Sequence, residues 1–195
     1  MDTKTDAPST SADFDQVYKS SFAHWMWSDV RIPKELKELI ASNKPQTTLE
    51  LGCGLARFST FVAEQGIKAT GVDFSPIAIE KAEKTNSTKK QKPTLLVGDV
   101  TNLDIPCGQF DLAFDVGCFH CLDEEQQRKY TSEMYRVLKP QSMLLIWVLD
   151  NSPSDKTINA TFIQKIFESK FQLSKSRFSR RRIVASHWYW LVKNK

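Results

Sequence analysis

Thr48 to Phe58 reads Thr-Leu-Glu-Leu-Gly-Cys-Gly-Leu-Ala-Arg-Phe, an apolar strand that ends in an acidic residue and two glycines one position apart, with a helical pattern directly after. Gly52 and Gly54 remove Cβ atoms where a tight turn leaves the strand, so backbone can approach a ligand closely and adopt dihedrals closed to other residues. A Gly-x-Gly turn also occurs as plain strand-to-helix punctuation, so this stretch alone does not settle a ligand.

The continuation narrows the reading. An amphipathic segment from Leu55 to Gln65 stops at Gly66, and Ile67 to Val72 reads as a second strand ending in Asp73. An acidic residue about 20 positions past a glycine turn sits at the tip of the neighbouring parallel strand, where its oxygens can accept both ribose hydroxyls. Dinucleotides and S-adenosylmethionine both carry that ribose. The third position of a Gly-x-Gly-x-x-Gly loop packs helix on strand and needs Gly or Ala, but here it is Arg57, which argues against a nicotinamide cofactor.

Further strands read at Thr94 to Val97, capped by Gly98-Asp99-Val100, and at Phe110 to Val116, running into Gly117-Cys118-Phe119-His120. A helical stretch from Glu124 to Leu138 meets Lys139-Pro140, and Met143 to Leu149 is an almost wholly apolar strand. Together these pieces resemble the class I S-adenosylmethionine-dependent methyltransferases over roughly Thr47 to Asp150. The segments that carry the resemblance are Leu49 to Gly54, Val72-Asp73-Phe74-Ser75, Gly98-Asp99-Val100, Ile105-Pro106 through Gln109-Phe110-Asp111-Leu112, and Arg136-Val137-Leu138-Lys139-Pro140. An aromatic-Trp amino-terminal helix, Pro33 before the next helix, and Asp115-x-Gly117-Cys118-Phe119-His120 after the fourth strand look similar to small thiopurine and thiol methyltransferases.

The resemblance implies roles residue by residue. Glu50 orients the glycine turn and the methionine amino group of the cofactor. Gly52, Cys53 and Gly54 pass beneath it, and Asp73 holds the ribose hydroxyls. Phe74 lies against the adenine, Asp99 accepts from its exocyclic amine and the Val100 amide donates to a ring nitrogen. Backbone at Asp115 and Val116 meets the methionine end. Two departures stand out: Ala56 replaces a frequent third glycine, and Gln141-Ser142 follows Lys139-Pro140 where paired glycines are usual.

A chain of 195 residues with 41% hydrophobic residues can bury a single core. Met1 to Ala12 is polar and reads as a disordered tail rather than a signal peptide, with one domain over 13–195. Its longest uncharged apolar stretch, Met143 to Leu149, is far short of the roughly 20 residues that span a membrane, so a cytoplasmic protein without membrane contact is expected. Four cysteines do not make a disulfide scaffold. Cys118 and Cys121 flank His120, but no second Cys or His pair stands at zinc spacing and His24 and His187 are isolated, so no metal is expected. The pair reads as packing, or as lining for a substrate pocket.

The net charge of +4 is uneven, with Lys175, Arg177, Arg180, Arg181 and Arg182 in one stretch. That run falls where the resemblance puts a hairpin. No Asn/Asp-Pro-Pro-aromatic motif follows the fourth strand, and Pro106-Cys107 precedes that strand, which argues against a nucleic-acid substrate. Toward the amino terminus, Phe14, Tyr18, Phe22, Trp25 and Met26 recur at helical spacing, and a second helix reads from Lys34 to Ile40. This segment, about 13–42, packs on the sheet or forms a helical lid whose aromatic faces, Trp25 among them, meet a sulfonium cation.

The expected architecture is α/β: a three-layer α/β/α, Rossmann-like, doubly wound sheet of seven strands, mostly parallel with one antiparallel strand. Strands are expected near 47–51, 68–72, 94–97, 111–116, 143–149, 171–176 and 186–192. The expected activity is S-adenosylmethionine-dependent methyl transfer to a small-molecule nucleophile. The resemblance favours a thiol or chalcogen compound, with O- or N-methylation of a small metabolite open, and a non-catalytic cofactor-binding protein or an oxidoreductase behind them. Transfer needs an in-line approach and a base only when the acceptor arrives protonated. His120 is the candidate base or pocket wall.

Overall fold

The computed structural model describes residues 10–20, 31–151, 157–180 and 185–195. Helix α1 (Ser11–Lys19) opens on a capping box, in which the Thr10 hydroxyl receives the Asp13 amide and the Asp13 carboxylate receives the Thr10 amide. Ser11 and Ala12, expected in the tail, are therefore helical, because the cap fixes the start at Thr10. Helix α2 (Lys34–Asn43) follows Pro33 and buries Leu36, Leu39 and Ile40.

Strand β1 (Thr47–Leu51) leads through the glycine turn to α3 (Arg57–Glu64), and β2 (Lys68–Asp73) leads to α4 (Pro76–Asn86), capped by Ser75 with Pro76 in its first turn. Next come β3 (Thr94–Val97), β4 (Phe110–Val116) and a 3-10 turn at Phe119–Cys121. Helix α5 (Glu124–Val137), β5 (Leu138–Leu149), α6 (Ala160–Phe167), β6 (Phe171–Ser179) and β7 (Ser186–Lys193) complete the order.

The seven strands lie in the order β3-β2-β1-β4-β5-β7-β6. β1 to β5 pair in parallel, and β7 runs antiparallel to both β5 and β6, so a single strand is reversed as expected. On one face Leu49, Leu51, Leu144, Ile146 and Val148 pack with Tyr130 and Met134 of α5 and Ile163 and Phe167 of α6. On the other, Leu112, Phe114, Leu145, Trp147, Trp188 and Trp190 pack with Leu36 and Leu39 of α2 and Val62 of α3. Burial of both faces explains the continuous apolar runs of the central strands.

Three boundaries differ from the sequence expectation for identifiable reasons. Helix α3 starts at Arg57 rather than Leu55, because Gly54 (φ 52°) and Ala56 (φ 54°) are left-handed and cannot continue a helix. Strand β5 begins at Leu138 and absorbs the expected Lys139-Pro140 turn: Phe110 pairs with Leu138, Leu112 pairs with Met143, and the extra residues bulge with Gln141 at φ 61°. β6 and β7 run longer than their apolar patterns, since pairing holds from Phe171 with Lys193 to Ser179 with Ser186. Among the described residues no helix is long and apolar enough to cross a membrane.

Candidate functional site

The carboxyl ends of β1, β2 and β4 meet at the glycine turn. Gly52 has φ 62°, and a Cβ there would stand 2.6 Å from Cys118 Cβ. One on Gly54 would stand 2.6 Å from the Tyr18 hydroxyl. Cys53 is buried beneath, its amide donating to Val72 O at 2.9 Å. A Cβ added to Gly71 of β2 would touch Cys53 and Ser59 at 3.0 Å, so the turn needs a third small residue that the sequence pattern did not mark.

Three buried carboxyls ring the turn. Glu50 Oε2 receives the Ser59 amide at 2.7 Å and the Ser59 hydroxyl, which ties the end of β1 to the first turn of α3. Asp73 receives the Gly54 amide at 2.8 Å and the Ser75 amide at 3.0 Å, joining the glycine turn to the tip of β2. Asp115 receives the Gly117, Cys118 and Phe119 amides at 2.9, 2.8 and 3.0 Å and the Tyr130 hydroxyl at 3.1 Å, which fixes the loop after β4. Burial pushes Glu50 up to about 8, with the charges of Asp73 and Asp115 adding to the shift. Burial also raises Asp115 to about 6 and Asp73 above its ordinary range. Among the described residues none of the three has a cationic side-chain partner.

Asp99 lies exposed past the end of β3, one oxygen holding the Thr101 amide and hydroxyl at 2.8 Å each, and Val100 is buried beside it. Phe74 meets Phe14 of α1 edge to face at 5.1 Å. His120 is 3% exposed, sits 5.8 Å from Trp147 ring to ring, and its Nδ1 receives the Leu149 amide at 3.4 Å. Val116 ends β4, paired with Trp147. Cys53, Cys118 and Cys121 are free thiols, and burial pushes Cys118 well up. Among the described residues no cluster of ligating side chains could hold a metal ion.

Helix α1 closes over this ground. The Ser11 hydroxyl donates to Phe74 O at 2.9 Å, the Ser75 hydroxyl donates to Asp15, and Lys81 Nζ donates to Tyr18 O at 2.5 Å. Burial, then the nearby Asp73, Cys53, Cys118 and Glu50, raise the Tyr18 phenol, so it stays protonated. Trp25, with Phe22, Met26 and His24, lies outside the described residues. Glu50, Gly52, Cys53, Gly54, Asp73 and Asp115 are thus brought together, with Phe74 and Asp99 at the rim. Sequence reasoning missed Ser59 as the partner of Glu50, the Asp15–Ser75 tether and a pair formed by Asp150 and His187, all joined across distant positions that periodicity does not link.

Residues 48–141 match the methyltransferase domain family. The chain is 29% identical to an uncharacterised methyltransferase of Schizosaccharomyces pombe over 52% of its own length and 70% of that protein. It is 34% identical to norajmaline N-methyltransferase of Rauvolfia serpentina over 54% of its length, which spans only 36% of that enzyme. Its fold matches that of 1,6-didemethyltoxoflavin-N1-methyltransferase of Burkholderia thailandensis, solved with its acceptor and S-adenosylhomocysteine, at TM-score 0.78 and 18% identity, covering 100% and 98% of the two chains. Residues 48–141 are thus an S-adenosylmethionine-dependent methyltransferase domain, and the sheet around them has the fold of such enzymes. The cofactor carries a sulfonium and an ammonium, and three buried acids without a cationic partner suit it.

Proposed function

We propose that this methyltransferase acts on a small soft nucleophile, a thiol or related chalcogen compound. The observation that carries the cofactor half is the ring of Glu50, Asp73 and Asp115 around the glycine turn. In this reading Asp73 holds the ribose hydroxyls, Glu50 faces the methionine ammonium and the glycine turn runs beneath. Phe74, Asp99 and the Val100 amide border the adenine, while the backbone of Asp115 and Val116 meets the methionine end. Helix α1 acts as the lid, with Tyr18 over Gly54.

On the acceptor side, Cys118 lies against Gly52, and His120 and Trp147 lie against Gly117. Cys118 and Trp147 give this wall apolar surface, and Asp115 in it is already consumed by four hydrogen bonds. A sulfur nucleophile loses less hydration there than a phenolate or an amine, and a thiolate reacts without further activation. His120 serves as pocket wall, since its ring is buried and its Nδ1 is occupied. O- or N-methylation of a small metabolite is the second reading, its N-methylation form favoured by the likeness to norajmaline N-methyltransferase.

Calorimetry against S-adenosylmethionine and NAD, followed by a turnover screen over thiols, phenols and amines, tests both halves. Binding of S-adenosylmethionine alone, with methylated thiols as main products, is expected. NAD binding would overturn the cofactor assignment, and turnover confined to amines would replace the thiol reading by the second one.

A further inference from the structure

The end of β5 carries two imidazoles, and they are wired in opposite senses. His120 Nδ1 receives the amide of Leu149 at 3.4 Å, which assigns its ring proton to Nε2. At the next residue Asp150 Oδ1 stands 2.6 Å from His187 Nδ1. A carboxylate there is an acceptor, so Nδ1 of His187 carries the proton and Nε2 presents a lone pair. Among the described residues Nε2 makes no hydrogen bond, and the His187 side chain is 29% exposed. An imidazole oriented by a carboxylate through one nitrogen and open at the other is the arrangement of a general base.

Its surroundings favour a ligand. His187 pairs across the sheet with Val148 of β5 and with Phe178 of β6. Phe178 is 52% exposed, an unusual place for a large apolar ring, and meets His187 at 5.3 Å. Tyr189 stacks under His187 at 5.8 Å, and its buried hydroxyl has no hydrogen-bond partner among the described residues. Among the described residues the titratable groups facing His187 are thus Asp150 from the end of β5 and Tyr189 from its own strand, while β6 presents Phe178. Because β7 is the antiparallel strand, its first residues lie at the same sheet edge as the glycine turn and Gly117. His187 stands two strands from β4, about 10 Å at ordinary strand spacing, a gap that a small acceptor and the imidazole itself can bridge.

We propose that His187, held by Asp150, takes the acceptor's proton during methyl transfer, with the Phe178 ring as the acceptor's apolar rest. This rests on the methyltransferase reading above. When bound, S-adenosylmethionine supplies the methyl on a sulfonium, leaving as neutral S-adenosylhomocysteine with the electrons of the broken C–S bond. His187 Nε2 receives the proton of the acceptor X–H as that bond's electrons form the new X–C bond, and the imidazolium then releases the proton to solvent. His187 is the catalytic residue, and Asp150 positions it.

The test is a series of ring-substituted thiophenols and phenols whose acidities span the assay pH, with wild type, His187→Gln, Asp150→Asn and Asp150→Glu. His187→Gln should lose rate roughly a hundred-fold on the least acidic probes and almost none on those already ionised, and it should lose the acidic limb of the kcat/KM profile. Asp150→Asn should follow the same slope, with partial rescue by Asp150→Glu. Calorimetric affinity for S-adenosylmethionine should stay within about two-fold in every variant. A uniform loss across the series, or no loss, overturns the proposal and leaves the pair a structural one. Failure of the wild type to bind S-adenosylmethionine sinks the transferase reading instead. Turnover of no probe at all removes the acceptor reading and the dyad together. Should the variants not fold, diethyl pyrocarbonate on the wild type decides: carbethoxylation of His187 with loss of activity restored by hydroxylamine is expected, and an unreactive His187 overturns the proposal.

Discussion

Glu50 holds its proton to about pH 8 in the fold, against an ordinary 4.5, because burial disfavours its charge. Between those values the folded chain carries the extra proton, so stability falls as pH rises through the window. A cofactor ammonium brought to Glu50 favours the carboxylate, so binding should release a proton below pH 8 and tighten with rising pH. Calorimetry in two buffers of different ionisation enthalpy measures this, and Glu50→Gln should abolish the proton release. Asp73→Ala should weaken S-adenosylmethionine by about 1.5 to 3 kcal/mol, the range for hydrogen bonds to a charged group. Unchanged affinity in a folded variant would remove Asp73 from the ribose. Gln141 is exposed and left-handed at φ 61°, where glycine avoids a steric cost of about 1 to 2 kcal/mol. Less glycine's own entropy, Gln141→Gly should stabilise by about 1 kcal/mol and raise Tm by about 2 to 4 °C.

Helix α1 is held by polar tethers at Phe74, Ser75 and Lys81 rather than by the core, and none of its residues is fully buried. An element held this way can leave without unfolding the sheet. Tyr18→Ala should therefore shift Tm little while speeding S-adenosylmethionine release roughly ten-fold, about 1.4 kcal/mol, as stopped-flow fluorescence reads. A large drop in Tm with an unchanged off-rate would make α1 part of the scaffold. The elements themselves were legible where their signals are local. The glycine turn, Asp73 at a strand tip and the apolar run of Met143 to Leu149 each follow from a few neighbouring residues. Tyr18 over Gly54 was not, because the two are brought together only when α1 docks on α4. The Asp150–His187 pair was hidden likewise: each residue reads as an ordinary strand end, and only antiparallel pairing of β5 with β7 joins them.

At the scale of the molecule, alternating strands and helices made the parallel sheet legible, and the short connection between the last two strands marked the reversal. What patterning did not convey is that β7 is slotted between β5 and β6, since strand order depends on which edges bury Trp147, Trp188 and Trp190. That slot bears on assembly during synthesis. β6 leaves the ribosome before the strand that joins it to the sheet, so until β7 arrives β5 is an open edge and β6 is unattached. Trp188 reaches its place 6.4 Å from Trp147 only at that last step. Indole emission should accordingly recover later than far-UV circular dichroism on refolding, and replacing both Trp188 and Trp190 of β7 by Phe should erase the lag. Unpaired edges invite pairing with other chains, so the nascent protein is most exposed to aggregation between synthesis of β5 and of β7, the interval in which chaperone capture would matter most.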